Sequence, residues 1–227
     1  MPVLVRRALY VLAALAVLVV CAVVALRVAM PKQLAVTDTP APRLGTLAPG
    51  TGIPVGQKVP EARLRDLEGK EVMLSSLYTK QPILLVFYRG GWCPFCNTQI
   101  HQLSMTYPEY RKRGLEVVAV SVDVPEVEAR LKATYSIPFP VLSDSDAAVI
   151  EAFHVVNTVP NSEITIHKVI GSDLEDFSGQ KHHKIAVPAL FLIDTTGTVR
   201  WAHSDPDFQV RPSTAQVLAA IDGAGLR

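Results

Sequence analysis

The sequence predicts an α/β fold, a sheet with helices on both faces, preceded by one N-terminal transmembrane helix. Three observations carry this. Ala8 to Leu26 holds no charged residue. Pro82 to Tyr88 and Leu115 to Val122 are continuous apolar runs of the kind buried on both faces of a sheet. Each of these runs is followed by a helical pattern, so strand and helix alternate along the chain.

The 19 residues from Ala8 to Leu26 would span about 28 Å as a helix, close to the hydrocarbon thickness of a bilayer. Arg6 and Arg7 precede this run and Pro31 stops it. A cleaved secretory signal is the alternative, but its apolar region is usually about 7–15 residues long. Neither Val28-Ala29-Met30 nor Leu18-Val19-Val20-Cys21 offers a good processing site, and the residues around Arg6-Arg7 match a twin-arginine signal weakly. A retained anchor over residues 1–30 is the expectation, with Cys21 in lipid as a small apolar side chain. The positive N-terminal flank places that end in the cytoplasm and the rest of the chain on the extracytoplasmic, periplasmic side.

Residues 31–56 contain Pro31, Pro40, Pro42, Pro49 and Pro54 with four glycines and few large apolar groups. This composition reads as a linker. Residues 57–227 form the expected globular domain, within the size of one compact unit. Residues 1–56 carry five basic residues and one acidic; the remainder carries 17 and 20. A mildly acidic domain lacks the electrostatic footprint of a nucleic-acid binder, and three cysteines are too few for a disulfide scaffold.

Within the domain, Asp66-Leu67-Glu68-Gly69-Lys70 reads as a turn between two short strands, and Pro82 to Tyr88 as a central strand. Ile100, Leu103, Tyr107 and Tyr110 recur at helical spacing, with a kink expected at Pro108. Leu115 to Val122 is a second buried strand, Pro125 to Tyr135 a helix with Pro125 in its first turn, and Phe139 to Leu142 a short strand. Asp144 can cap a helix running to Phe153. Residues 157–184 break the alternation, and Ile164 to Ile170 reads as an extra strand. Ala189 to Asp194 and Thr198 to His203 form a hairpin around Thr195-Thr196-Gly197. A last helix follows Pro212, carrying Val217, Leu218 and Ile221.

The chemistry lies in Trp92-Cys93-Pro94-Phe95-Cys96, between the central strand and its helix. A dithiol that cycles with a disulfide needs a thiolate, a second sulfur within reach and access for a partner. Cys93 at the helix start meets the free amides of the first turn, which lower a thiol pKa to roughly 3.5–7.5. Cys96 lies one turn along the same face. Cys93 is therefore the expected attacking sulfur and Cys96 the resolving one. Two other readings of the pair are half of a zinc site completed by the distant His182-His183, and two inert packed cysteines. Trp92 reads as a lid over the site, and Arg89 either as a partner of the thiolate or as an exposed strand end.

The strand plus WCPFC, Val187-Pro188 before ALFLID, and the FLIDTTGTVRW hairpin resemble the thioredoxin superfamily. Residues 56–77 (GQKVPEARLRDLEGKEVMLSSL), FYRGGWCPFCNTQI and IPFPVLSD resemble the AhpC/TSA peroxiredoxin-like family, in its branch with a thioredoxin-style CxxC. The resemblance covers residues 56–222 apart from 157–184, and implies a thioredoxin-like sheet. It implies that Pro188 is a cis-proline opposite the CxxC, lining the substrate groove with Val187 and Trp92. In the family a threonine three residues before the peroxidatic cysteine and an arginine on the facing strand bind peroxide; these positions fall on Cys93 and Pro188, with Cys96 at the peroxidatic place. The buried acid of thioredoxins falls on Phe87, which leaves proton transfer to another group, such as one of Lys181, His182, His183 and Lys184, or to water.

The resulting expectation is an oxidoreductase: a membrane-tethered thiol-disulfide exchange enzyme using Cys93 and Cys96, with no cofactor and no metal. Its partners would be protein or small-molecule disulfides, or peroxides, and an external thiol electron donor, with the membrane engaged through residues 8–26 and no nucleic acid. The alternatives are a peroxiredoxin-type thiol peroxidase and, in another class, copper delivery. Membrane-anchored copper chaperones of this fold separate their cysteines by three residues, whereas two lie between Cys93 and Cys96.

Overall fold

The structure is a computed structural model that describes residues 13, 15–18, 20 and 36–226. It divides into two units, Met1–Ala35 and Val36–Arg227. In the first, the described residues are helical and exposed. The rest of the expected membrane segment, with Arg6, Arg7 and Cys21, lies outside the described residues. Among the described residues no helix is long and apolar enough to cross a membrane.

The second unit begins with β1 (Thr37–Asp38), β2 (Arg63–Arg65), β3 (Glu71–Met73), a short α1 (Ser75–Tyr78), β4 (Ile83–Phe87) and α2 (Pro94–Lys112). It continues through β5 (Glu116–Ser121), α3 (Pro125–Thr134), β6 (Val141–Ser143), α4 (Ala148–Ala152), β7 (Val156–Thr158), α5 (Asn161–Val169) and α6 (Leu174–Ser178). It ends with β8 (Lys184–Ala186), β9 (Ala189–Ile193), β10 (Val199–Ser204), β11 (Val210–Arg211) and α7 (Thr214–Gly223).

The main sheet has the order β10-β9-β4-β5-β6-β2-β3. β4, β5 and β6 run parallel, while the β9–β10 hairpin and the β2–β3 hairpin flank them antiparallel. Every residue of β4 and β9 is buried, which explains their unbroken apolar runs. Because strand side chains alternate between faces, Ile83, Leu85 and Phe87 join Phe153, Ile164, Leu174 and Phe191 in one core on the face of α4, α5 and α6. The rings of Phe87, Phe153 and Phe191 meet at 5.0, 5.9 and 5.4 Å. On the other face α2 packs against β5 and α7. The expected helices on both faces are therefore present.

Local signals explain most boundaries. Asp66 accepts from the N–H groups of Glu68 and Lys70 at 3.1 and 2.8 Å and closes the β2–β3 turn. The Asp144 carboxylate accepts from Val149 and Ile150 at 2.9 and 2.8 Å and caps α4 as expected. Ser213 and Gln216 form a reciprocal capping box at α7. α2 runs on through Pro108, which sits on its exposed side.

Two expectations differ from the structure. The compact unit starts at Val36, inside the 31–56 stretch whose composition reads as a linker. From Val36 on, the stretch is tied down: β1 pairs with β11, Gly52 N–H donates to His154 O at 2.9 Å, Gly56 N–H to Val199 O at 2.8 Å, and Arg43 pairs with Asp205 at 3.0 Å. Prolines do not prevent this, because the bonds come from the residues between them. The segment Ile164 to Ile170 is helix, not strand: Pro160 precedes α5 and one residue, Ile164, anchors it to the core. β-branched composition there misled because tertiary anchoring overrides strand propensity.

Candidate active site

The chain leaves the end of β4 through buried Tyr88, turns at Arg89-Gly90-Gly91 and enters α2 with Cys93 as its N-cap and Pro94 at the first helical position. Cys93 N–H donates to Gly90 O at 3.1 Å, and the Asn97 side-chain amide donates to Gly91 O at 2.9 Å. Gly90 has φ +142°, and a Cβ there would stand 2.5 Å from Trp92 Nε1 and 2.8 Å from Asp123 Oδ1. Both its conformation and its surroundings require glycine.

Cys93 and Cys96 are free thiols. Cys93 is lowered from 9.0 to about 6, chiefly by hydrogen bonding from the Cys96 thiol; burial opposes this, while the Cys96 N–H and the charges of Arg89 and Arg211 assist. Cys96 is pushed well above the ordinary thiol range by burial and by Cys93. The first sulfur is thus drawn toward the thiolate form and the second is held as a thiol. Access differs from the expectation: Cys93 is only 1% exposed.

The surroundings consist of aromatic rings and cations. The Arg89 guanidinium lies 4.9 Å from the Trp92 ring centroid and 4.2 Å from that of Phe208. Phe208 meets Phe95 edge-on at 5.5 Å, and Trp92 meets His167 of α5 at 4.8 Å. The 157–184 stretch that breaks the strand-helix alternation thus contributes His167 to a wall of the site. Val187 and Pro188 line a cleft of about 280 Å³ with Arg89, Asn157, Asp205 and Phe208; Trp92, 4.9 Å from the Arg89 guanidinium, does not line it. No cis peptide bond occurs among the described residues, so Val187-Pro188 is trans, a correction to the expected cis-proline. Trans is the intrinsically favoured form by about 0.5–1 kcal/mol, and Val187 N–H donates to Val155 O at 2.6 Å just before the bond.

His182, His183 and Lys184 are engaged elsewhere, and Lys181 is exposed. His182 Nε2 contacts Ser145 O at 3.1 Å, His183 Nε2 contacts Glu175 at 2.8 Å, and Lys184 pairs with Glu151. They are not brought to the cysteine turn. Among the described residues no group of three or more His, Cys, Asp or Glu side chains is arranged to hold a metal ion.

Two charged groups at the site are not among the expected site residues. Asp123, at the end of β5, is fully buried; its Oδ2 accepts from Gly91 N–H at 2.6 Å and its Oδ1 has no partner among the described residues. Burial raises it from 3.8 to about 7, and the charge of Cys93 contributes to the rise. Behind it Ser121 donates to Asp123's neighbour Glu128 at 2.6 Å, and Tyr88 donates to the other Glu128 oxygen. Arg211, in the two-residue β11, is 2% exposed; its Nη1 donates to Val210 O at 2.9 Å and its charge acts on both cysteines. Only the pairing of an isolated aspartate with a strand end could have pointed to Asp123.

The AhpC/TSA family model matches residues 55–202. The chain belongs to the AhpC/TSA family. Among curated AhpC/TSA-like relatives, the thiol-disulfide oxidoreductase ResA of Geobacillus thermodenitrificans (strain NG80-2) is 32% identical over 106 residues, 46% of this chain and 60% of that one. Peroxiredoxin Q, chloroplastic, of Oryza sativa subsp. japonica is 31% identical over 119 residues, 49% of this chain and 54% of that one. The chain therefore spans little more than half the length of these relatives. Of solved structures, reduced Prx3 of Vibrio vulnificus aligns with a TM-score of 0.62 at 16% identity, covering 75% of this chain and 99% of that one. Peroxidoxin BcpB of Mycobacterium tuberculosis aligns at 0.58 and 20% identity, covering 75% and 95%. The fold is thus the thioredoxin-like peroxiredoxin fold. Both β1 and β11, with Arg211, lie outside the AhpC/TSA match.

Proposed function

We propose that this AhpC/TSA member is an oxidoreductase that exchanges electrons between its Cys93-Cys96 pair and the thiols or disulfides of a partner, from a membrane anchor at residues 8–26 on the extracytoplasmic side. The observation that carries it is the asymmetry of the two sulfurs, one drawn down to about 6 and the other pushed up. A thiolate at Cys93 attacks a partner disulfide, forming a mixed disulfide and releasing one partner thiolate. Cys96 then loses its proton, attacks the Cys93 sulfur and releases the second partner thiol. The enzyme dithiol becomes a disulfide and the partner disulfide becomes two thiols; the same steps reversed oxidise a partner dithiol. The ResA relatives bear the name thiol-disulfide oxidoreductase, which supports the reading.

A thiol peroxidase is the second reading, favoured by a cationic Arg211 beside the sulfurs and by the likeness to peroxiredoxin Q. Against it, the family's peroxidatic place falls on Cys96, whose thiol is fully buried and kept protonated. The test offers the reduced protein a protein disulfide and hydrogen peroxide in parallel. Cys93→Ser abolishes disulfide exchange, and Cys96→Ser accumulates a mixed disulfide through Cys93. Full exchange by Cys93→Ser, or oxidation by peroxide far faster than by the disulfide, rejects the reading.

A further inference from the structure

Among the described residues Arg211 is a buried cation without a carboxylate partner. Its side chain is enclosed, its Nη1 is satisfied by a backbone carbonyl, and Nε and Nη2 have no hydrogen-bond partner among the described residues. No ion pair to an acid involves it among the described residues. Leaving a charge buried and uncompensated is costly. The groups its charge meets are, in order, Cys96 and Cys93, with Arg89 opposing; His203 on β10 also feels it. Negative charge appears next to Arg211 when the dithiol is reduced and one sulfur is a thiolate. A disulfide carries none.

We propose that Arg211 is the built-in counter-charge of the reduced dithiol, setting the Cys93-Cys96 couple to take electrons from protein dithiols rather than to reduce disulfides. The inference rests on the exchange reading and gives it a direction. In the reaction two electrons break the Cys93–Cys96 bond; Cys96 takes one proton and Cys93 remains a thiolate facing Arg89 and Arg211. With glutathione as donor, two glutathione thiols become one glutathione disulfide, one of their protons goes to Cys96 and the other to solvent. Stabilising the thiolate product stabilises the reduced enzyme, which makes the disulfide the stronger oxidant. Asp123, the acid that faces Cys93 from β5, acts in the opposite sense once ionised. Arg211 touches no substrate here and is a positioning residue for charge.

The full-length protein in detergent micelles is equilibrated with mixtures of reduced and oxidised glutathione, and its thiolate absorbance is followed against pH. Arg211→Met shifts the equilibrium at least about tenfold toward the disulfide, ~30 mV in potential, and raises the Cys93 pKa. Arg211→Lys, which keeps the charge, restores most of both. Should Arg211→Met not fold, the wild type still decides: its reduced form resists urea better than its oxidised form at pH 7. A potential that Arg211→Met leaves unchanged, or an oxidised wild type as stable as the reduced, overturns the inference. Failure of the wild type to form any Cys93-Cys96 disulfide rejects the exchange reading instead.

Discussion

Cys93 and Asp123 sit at the ends of the neighbouring strands β4 and β5, and each is ionisable near neutral pH, at about 6 and about 7. Two like charges in one buried neighbourhood do not titrate independently; the protons leave in steps that belong to the pair. Loss of the Cys93 proton comes first because the Cys96 hydrogen bond, Arg89 and Arg211 favour its thiolate, and that charge then holds Asp123 protonated. A protonated Asp123 is a buried proton carrier beside the Cys93 turn, held through Gly91, whereas the acid position of thioredoxins falls on the core residue Phe87. Asp123→Asn removes the second charge while keeping the shape and the bond from Gly91. The thiolate absorbance of the reduced variant titrates in a single step, at or below the lower wild-type value. A two-step curve, or a Cys93 pKa that rises, contradicts the coupling.

At the scale of elements, β1 is the partner of the strand that carries Arg211. Thr37 N–H donates to Gln209 O at 3.1 Å, Thr39 N–H to Arg211 O at 2.9 Å, and Gln216 of α7 donates to Thr39 O at 2.8 Å. A chain beginning at residue 57 loses these bonds together with the Arg43–Asp205 pair. It is expected to unfold at lower urea by about 2 kcal/mol or more and to have a raised Cys93 pKa, because Arg211 is no longer held. A chain beginning at residue 36 matches the full-length protein in both. Equal midpoints for the two truncations contradict this role of β1. The same elements mark what the sequence made legible. β4, β5 and β9 were readable because their buried faces leave unbroken apolar runs, β10 because the Thr195-Thr196-Gly197 turn announces a hairpin, and the cysteine turn because strand, spacing and Pro94 coincide. β1 and β11 are two residues each, too short for any period. α5 was unreadable because Ile166, Val169 and Ile170 are exposed, so its apolar residues do not mark a core face. Arg211 and Asp123 are charges whose burial is decided by packing between distant segments, which no local pattern encodes.

For the whole molecule, the C-terminal ends of the parallel strands β4, β5 and β6 gather the ionisable groups: Cys93 beyond β4, Asp123 beyond β5 and Asp144 beyond β6. Ligands and reactive groups in open α/β sheets collect at this end. Burial is the first cause raising Asp123 and Asp144 from 3.8 to about 7, and it raises Glu128 well above its ordinary value as well. These acids hold their protons more tightly folded than unfolded. Their contribution to stability is complete below about pH 4 and is lost as pH rises through about 7. Cys93 is shifted the other way, from 9.0 to about 6, so its contribution is complete above about pH 9 and is lost as pH falls through about 6. In the disulfide form the cysteine contribution is absent. Urea unfolding between pH 4 and 9 should therefore show the oxidised protein losing stability steadily through neutral pH, while the reduced protein passes a minimum and recovers. The gap between the two forms widens from about pH 6 to about pH 9 by an amount on the order of 2–4 kcal/mol, since each pKa unit corresponds to about 1.4 kcal/mol. Parallel curves for the two forms would mean that the Cys93 thiolate is not stabilised by the fold, and the charge arrangement around the site would lose its thermodynamic basis.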